Sequence, residues 1–182
     1  MGDAGTTARR RTLALLCCGA WAWSMSCMAD AKDVAPKSIV ILDFDLLDDQ
    51  HELSPATVEY ARLAAIRAQL RDALTANRVY RVVDTAPASA LIDRYRSRTL
   101  LSACNGCELD IARALRADRV LLGWVQKVSN LILNINIRIE DAASGKVLLG
   151  QSVDLRGNTD ETWKRGMAYL VRRIVEKDAA HR

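Results

Sequence analysis

Between residues 131 and 155 the chain alternates and then turns back on itself, and this limits its fold more than any other feature. Leu131, Leu133, Ile135, Ile137 and Ile139 alternate with Asn134, Asn136, Arg138 and Glu140, the two-residue period of a strand with one buried and one polar face. A second apolar run, Val147 to Leu155, follows after only Ala142-Ala143-Ser144-Gly145-Lys146. So short a connection joins antiparallel neighbours; the crossover between parallel strands needs more chain. The pattern therefore predicts an antiparallel hairpin whose polar face is wet or covered by something polar.

Upstream the pattern changes. Ser38 to Leu46 reads as a buried strand, Ser54-Pro55 as the cap and first residue of a helix, and Leu63, Ile66, Leu70, Ala73 and Leu74 as its inward stripe, ending near Asn77. Val79 to Asp84 reads as a second strand. A helix is predicted from Pro87 through Tyr95 and another from Cys107 to Ala117, with Leu109, Ala112 and Leu115 inward. Asp118 to Ser129 is the strand before the hairpin. Asn158 with Glu161 resembles a capping box, followed by the stripe Trp163, Met167, Leu170, Val171 and Ile174 of a closing helix. Lys164, Arg165, Arg172, Arg173 and Lys177 are expected on its solvated side. The order βαβααβββα predicts a single α/β domain over 38–178, a mixed sheet with helices packed on it.

The amino terminus reads differently. Arg9-Arg10-Arg11 leads into an apolar run from Thr12 to Trp23, too short for a membrane span, and Cys27, Ala29 and Ala31 offer small residues before a cleavage site. Residues 1–29 are expected to be a signal peptide, 30–37 a flexible linker and 179–182 a tail. The paired arginines leave the twin-arginine route open, and Cys27 a lipoprotein variant. The full chain carries 26 basic and 22 acidic side chains. Removing the leader takes away three arginines and one aspartate, leaving a net charge of +2, so no polyanion-binding signal remains and no nucleic-acid partner is expected.

Two groups of residues carry chemistry. Asp43-Phe44-Asp45, followed by Asp48, Asp49, His51 and Glu52, resembles the acidic pair of haloacid-dehalogenase-type phosphatases. The antiparallel half of the chain supplies no late acidic pair for such a site, and the group reads as a solvated strand end. Cys104-Asn105-Gly106-Cys107 suits a structural disulfide in an exported protein, a redox pair or a metal site. Haem attachment requires histidine where Glu108 stands, and zinc requires about four ligands where only His51 and His181 are added. The disulfide is the expected state, with no metal, cofactor or catalytic residue assigned. Trp124 reads as either a core aromatic or a ligand platform. With Asn134, Asn136 and Arg138 it makes the candidate interaction surface.

The stretches Cys104-Asn-Gly-Cys-Glu108, Gly123-Trp-Val-Gln-Lys-Val-Ser-Asn-Leu-Ile-Leu133 and Arg156-Gly-Asn-Thr-Asp-Glu-Thr-Trp163 resemble a family of secreted proteobacterial proteins characterised only as a domain of unknown function. That resemblance implies a periplasmic location and, through the neighbourhood of some relatives, an association with periplasmic quinoprotein alcohol oxidation. At the level of fold, the order of strands and helices is similar to envelope assembly domains: the amino-terminal domain of the Tol-system translocation protein, the curli-secretion lipoprotein and the activators of penicillin-binding proteins. These imply a non-catalytic accessory module docking on another periplasmic or envelope protein, with a thiol-disulfide oxidoreductase using Cys104 and Cys107 as the alternative.

Overall fold

Strand β4 (Arg119–Lys127) lies at the centre of the sheet, between partners of opposite direction. On one side β1 (Ser38–Ile41) and β2 (Asp45–Asp48) both run parallel to it, and on the other β5 (Ile132–Asp141) runs antiparallel. β3 (Arg81–Val83) pairs parallel with β1 and β6 (Val147–Arg156) antiparallel with β5, giving the order β3-β1-β4-β5-β6. The computed structural model describes residues 35–48 and 56–180. The leader, Cys27, residues 30–34 of the linker, His51, the Ser54-Pro55 cap and the last two residues lie outside them. The mixed α/β class and the hairpin are as the alternation predicts.

The strand expected over Ser38–Leu46 is two strands. Ile41 pairs with Leu121 and Asp45 with Trp124, so the interrupted strand holds one residue more than β4 over the same length, a bulge. The extra residue reverses which side chains face which layer. Ile39 and Ile41 before it, and Phe44 and Leu46 after it, consequently meet the same core. Gly123 makes this packing feasible, because a Cβ there would stand 2.3 Å from the Phe44 ring.

Helices cover both faces of the sheet, but unequally. α1 (Thr57–Ala76) and α4 (Asp160–Ala179) bury their stripes, Leu63, Ile66, Leu70 and Leu74 on one and Trp163, Met167, Leu170, Val171 and Ile174 on the other, against Leu133, Ile135, Ile137 and Ile139 of β5. Each such side chain stabilises the fold by roughly 1.5–3 kcal/mol when fully buried. On the opposite face, α2 (Ser89–Arg96) and α3 (Cys107–Ala114) pack on Val40, Leu42, Val120 and Leu122. α1 and α3 end alike: Arg78 and Arg116 take left-handed φ of 52°, and the next amides, Val79 and Ala117, bond back to Leu74 and Ala112. This six-residue closure ends the helix and sends the chain into the adjoining strand.

Several sequence boundaries are corrected. α2 is preceded by a single 3₁₀ turn at Ala86–Ala88 that contains Pro87, so the α-helix itself starts at Ser89. α3 stops at Ala114 and buries Ile111 and Ala112, leaving Leu109 and Leu115 only partly covered. Leu131 is 73% exposed, outside the strand whose inward row it was expected to start. The capping box is one residue later than expected: the Thr159 hydroxyl accepts from Thr162 N, and the Thr162 hydroxyl bonds back to Thr159 N.

Candidate functional site

Register across the sheet builds a polar face from residues distant in sequence. Trp124 pairs with Asp45 on one side and Asn136 on the other, and Asn136 pairs with Ser152. The next row is Leu47, Gln126, Asn134 and Asp154. Paired residues share a face, so Trp124, Asn134, Asn136 and Arg138 come together on the side where α2 and α3 pack. Among the described residues, none covers the face beyond those helices. Gln126, Gly150, Ser152 and Asp154 are exposed, and Trp124, Asn134, Asn136 and Arg138 are half-buried. Trp124 is therefore neither fully in the core nor a free platform. The Asn134 amide donates to Ser152 Oγ at 3.0 Å and to Asp154 Oδ1 at 2.6 Å, fixing the polar row. At the far end Val128 and Ile132, joined by a backbone bond, are 45% and 47% exposed.

The cysteine loop borders this face. Cys104 and Cys107 are paired in a disulfide with Cα atoms 5.8 Å apart. Ser102 N donates to Asp45 Oδ2 at 2.7 Å, which holds the loop over the sheet next to the Trp124 row. A cavity of about 400 Å³ between loop and sheet is lined by Ser102, Cys104, Glu108, Arg138, Glu140 and Val147. Cys104 and Arg138, called separately from the sequence, thus stand on one cavity. Glu108 and Glu140, both 5% exposed, are the members that sequence reasoning missed.

The acidic pair is also placed, and it is not the solvated strand end expected. Asp45 is 5% exposed and tied to Ser102. Asp43 lies between Arg67 at 3.0 Å and Arg96 at 2.6 Å. The bulge separates the two carboxylates, each bonded to protein donors.

Beneath the exposed Val128–Ile132 tip lies a buried polar network. Lys127 Nζ is 3.0 Å from Asp48 Oδ2 and 2.9 Å from Glu59 Oε1, with all three side chains no more than 6% exposed. Asn158 donates to Glu59 at 2.8 Å and to Asn130 at 3.2 Å, and accepts from Trp163 Nε1 and Arg62 Nη1, both at 2.9 Å. Its amide is fully used. Burial works against the charge on Glu59 more than any single partner supports it, yet the bonds from Lys127 and Asn158 together hold the carboxyl below its ordinary value. For Lys127, burial is likewise the largest single influence, and the bonds to Glu59 and Asp48 outweigh it and raise the ammonium. Both groups are held charged. The network joins β2, β4, α1 and α4 directly below one end of the open face.

Solved structures are similar to this chain at low sequence identity. The hypothetical protein CT253 from Chlamydia trachomatis is 13% identical, with a TM-score of 0.50, 79% of this chain and 99% of that one being covered. The LpoB C-terminal domain from Salmonella enterica is 14% identical at a TM-score of 0.49, over 67% and 84%. Lipoprotein GNA1162 from Neisseria meningitidis is 19% identical at 0.46, over 79% and 97%. At 13% identity the likeness to the Chlamydia trachomatis protein is one of fold alone. Among curated proteins none matches the chain. Among the described residues no helix is long and apolar enough to cross a membrane. A family model matches residues 37–175, a range that takes in the cysteine loop, the β4–β5 run and the start of α4. The chain belongs to that family, DUF3280, described as Protein of unknown function (DUF2380).

Proposed function

We propose that the protein is a non-catalytic accessory module that docks on another envelope protein through the open face of β4, β5 and β6. The observation that carries this reading is the unequal cover of the sheet. On one side α1 and α4 bury the whole apolar row of β5, whereas on the other the face bearing Trp124, Asn134, Asn136 and Arg138 continues past α2 and α3 into exposed Gln126, Ser152, Val128 and Ile132. An aromatic ring, amides, an arginine and an apolar margin on a rigid sheet have the composition of a protein interface. The Cys104–Cys107 bridge fits in as a staple holding the loop that borders the face, and the leader pattern accounts for an oxidising location outside the cytoplasm. The association with quinoprotein alcohol oxidation has only the family resemblance behind it.

The reading is tested by sizing the protein from gently solubilised envelopes. Wild type should migrate in a larger complex, and Trp124→Ala combined with Asn136→Lys should shift it to the monomer position while its circular dichroism shows the domain still folded. Identical migration of both, or a monomeric wild type, contradicts docking by this face.

A second reading, a thiol-disulfide oxidoreductase, draws on Cys107 being the first residue of α3, the helix end that favours a thiolate. Cys107 is 4% exposed, which leaves the half-buried Cys104 as the sulfur open to attack. Turnover in an insulin-reduction assay would favour this reading over the docking module.

A further inference from the structure

We infer that the loop at the amino end of α3, once its bridge is reduced, binds one thiophilic divalent cation of the zinc class through Cys104, Cys107 and Glu108. A ligand atom from each, two sulfurs and a carboxylate oxygen, lies within 4.8 Å of the other two. Ligands bonded to a tetrahedral zinc ion stand roughly 3.5 Å apart, so modest side-chain adjustment places all three on one ion. The backbone is already set for this. The cysteine Cα atoms are 5.8 Å apart, and Gly106 between them turns the chain with φ of 110°.

Glu108 distinguishes this loop from a simple cysteine pair. It is 5% exposed, and its carboxylate folds back onto the Gly106 amide at 3.0 and 3.2 Å. A buried anion therefore already stands beside the sulfurs. Two thiolates and this carboxylate supply three negative charges for a dication. Arg138, on the wall of the same cavity, does not oppose the ion with a free charge, because its Nε is 2.5 Å from Glu140 Oε1. The cavity of about 400 Å³ gives access from solvent and room for a water as fourth ligand.

The chemistry balances with a dithiol as reductant. Two electrons pass to the bridge, the sulfur–sulfur bond breaks, both sulfurs become thiols and the dithiol closes its own disulfide. The ion then forms two bonds to sulfur and one to oxygen, and the two thiol protons leave to solvent. One loop is thereby fastened covalently in one redox state and by an ion in the other. The site borders the docking face, but its metal readout needs no docking partner.

The test reduces the full chain with a dithiol, removes the reductant without oxygen, and titrates first Co²⁺ and then Zn²⁺. One equivalent of Co²⁺ should give the thiolate charge-transfer absorption and be displaced by Zn²⁺, while the oxidised protein gives none. Cys104→Ser should abolish the absorption. Glu108→Gln, which keeps both sulfurs and can be checked for folding in the oxidised form, should weaken binding by about tenfold or more. A reduced protein without the absorption, equal binding by the oxidised form, or unchanged affinity in Glu108→Gln overturns the inference.

Discussion

Lys127 Nζ lies 2.9 Å from Glu59 Oε1 inside the protein, joining the end of β4 to the first turn of α1. Taking two charges out of water is costly, and the pair is sustained by further bonds: Asp48 on the ammonium and Asn158 on the carboxylate. Removing Lys127 strips the buried Glu59 carboxylate of its ammonium partner. Lys127→Met should therefore destabilise the protein by about 3–5 kcal/mol, measured as a lower urea midpoint at an unchanged slope. A loss under about 1 kcal/mol would mean the carboxylates find other compensation.

The same pair sets a pH dependence. The Glu59 carboxyl is held below its ordinary value, so its contribution is complete above the unfolded value of about 4.3 and is lost as the pH falls through the lower folded one. Lys127 is raised, so its contribution is complete below about 10.4 and is lost as the pH climbs through the folded value. Between pH 5 and 9 neither titrates. Subtracting the Glu59→Gln stability curve from that of wild type should give a plateau over that range and a decline below about pH 4. A flat difference down to pH 2 would show that Glu59 titrates alike folded and unfolded.

Gly123 and Gly150 provide an internal comparison. A Cβ at Gly123 meets the Phe44 ring at 2.3 Å, whereas one at Gly150 has nothing within 4 Å. Gly123→Ala should cost about 1–3 kcal/mol by overpacking the bulge, and Gly150→Ala should change stability by no more than about 0.5 kcal/mol. Equal effects by thermal or chemical denaturation would remove the explanation offered for the strand break.

Much of the architecture is legible before any coordinates, and the reason is periodicity. The alternation of β5 and the stripe of α4 each repeat one burial rule over several turns or pleats, so local errors cancel. The bulge at Leu42–Phe44 is not legible, because it depends on Gly123, some eighty positions away. The cap fell one residue late because Asn158 has the right chemistry for a cap but is engaged by Glu59, Asn130, Arg62 and Trp163 instead. The buried network did leave a signal. Leu121, Val125 and Lys127 share one row of β4, and Glu59 stands in the row of Leu63, Ile66 and Leu70. A charged residue at the end of an apolar row on each of two elements marks a buried ion pair.

The bridge should matter locally more than globally. Closing so small a loop contributes about 2 kcal/mol in the chain-entropy model. Reduction should therefore leave the domain folded while raising amide exchange around Ser102–Gly106, where Ser102 N bonds Asp45. Global unfolding on reduction would give the bridge a larger role than a staple.

Docking by the open sheet face is tested most directly by site-specific photocrosslinking in intact cells. A photoreactive side chain at position 136, in the centre of the face, should yield one discrete adduct with an envelope protein that is lost in Trp124→Ala, and the same group at position 165, on the exposed side of α4, should yield none. An adduct from position 165 with none from position 136 would contradict the account.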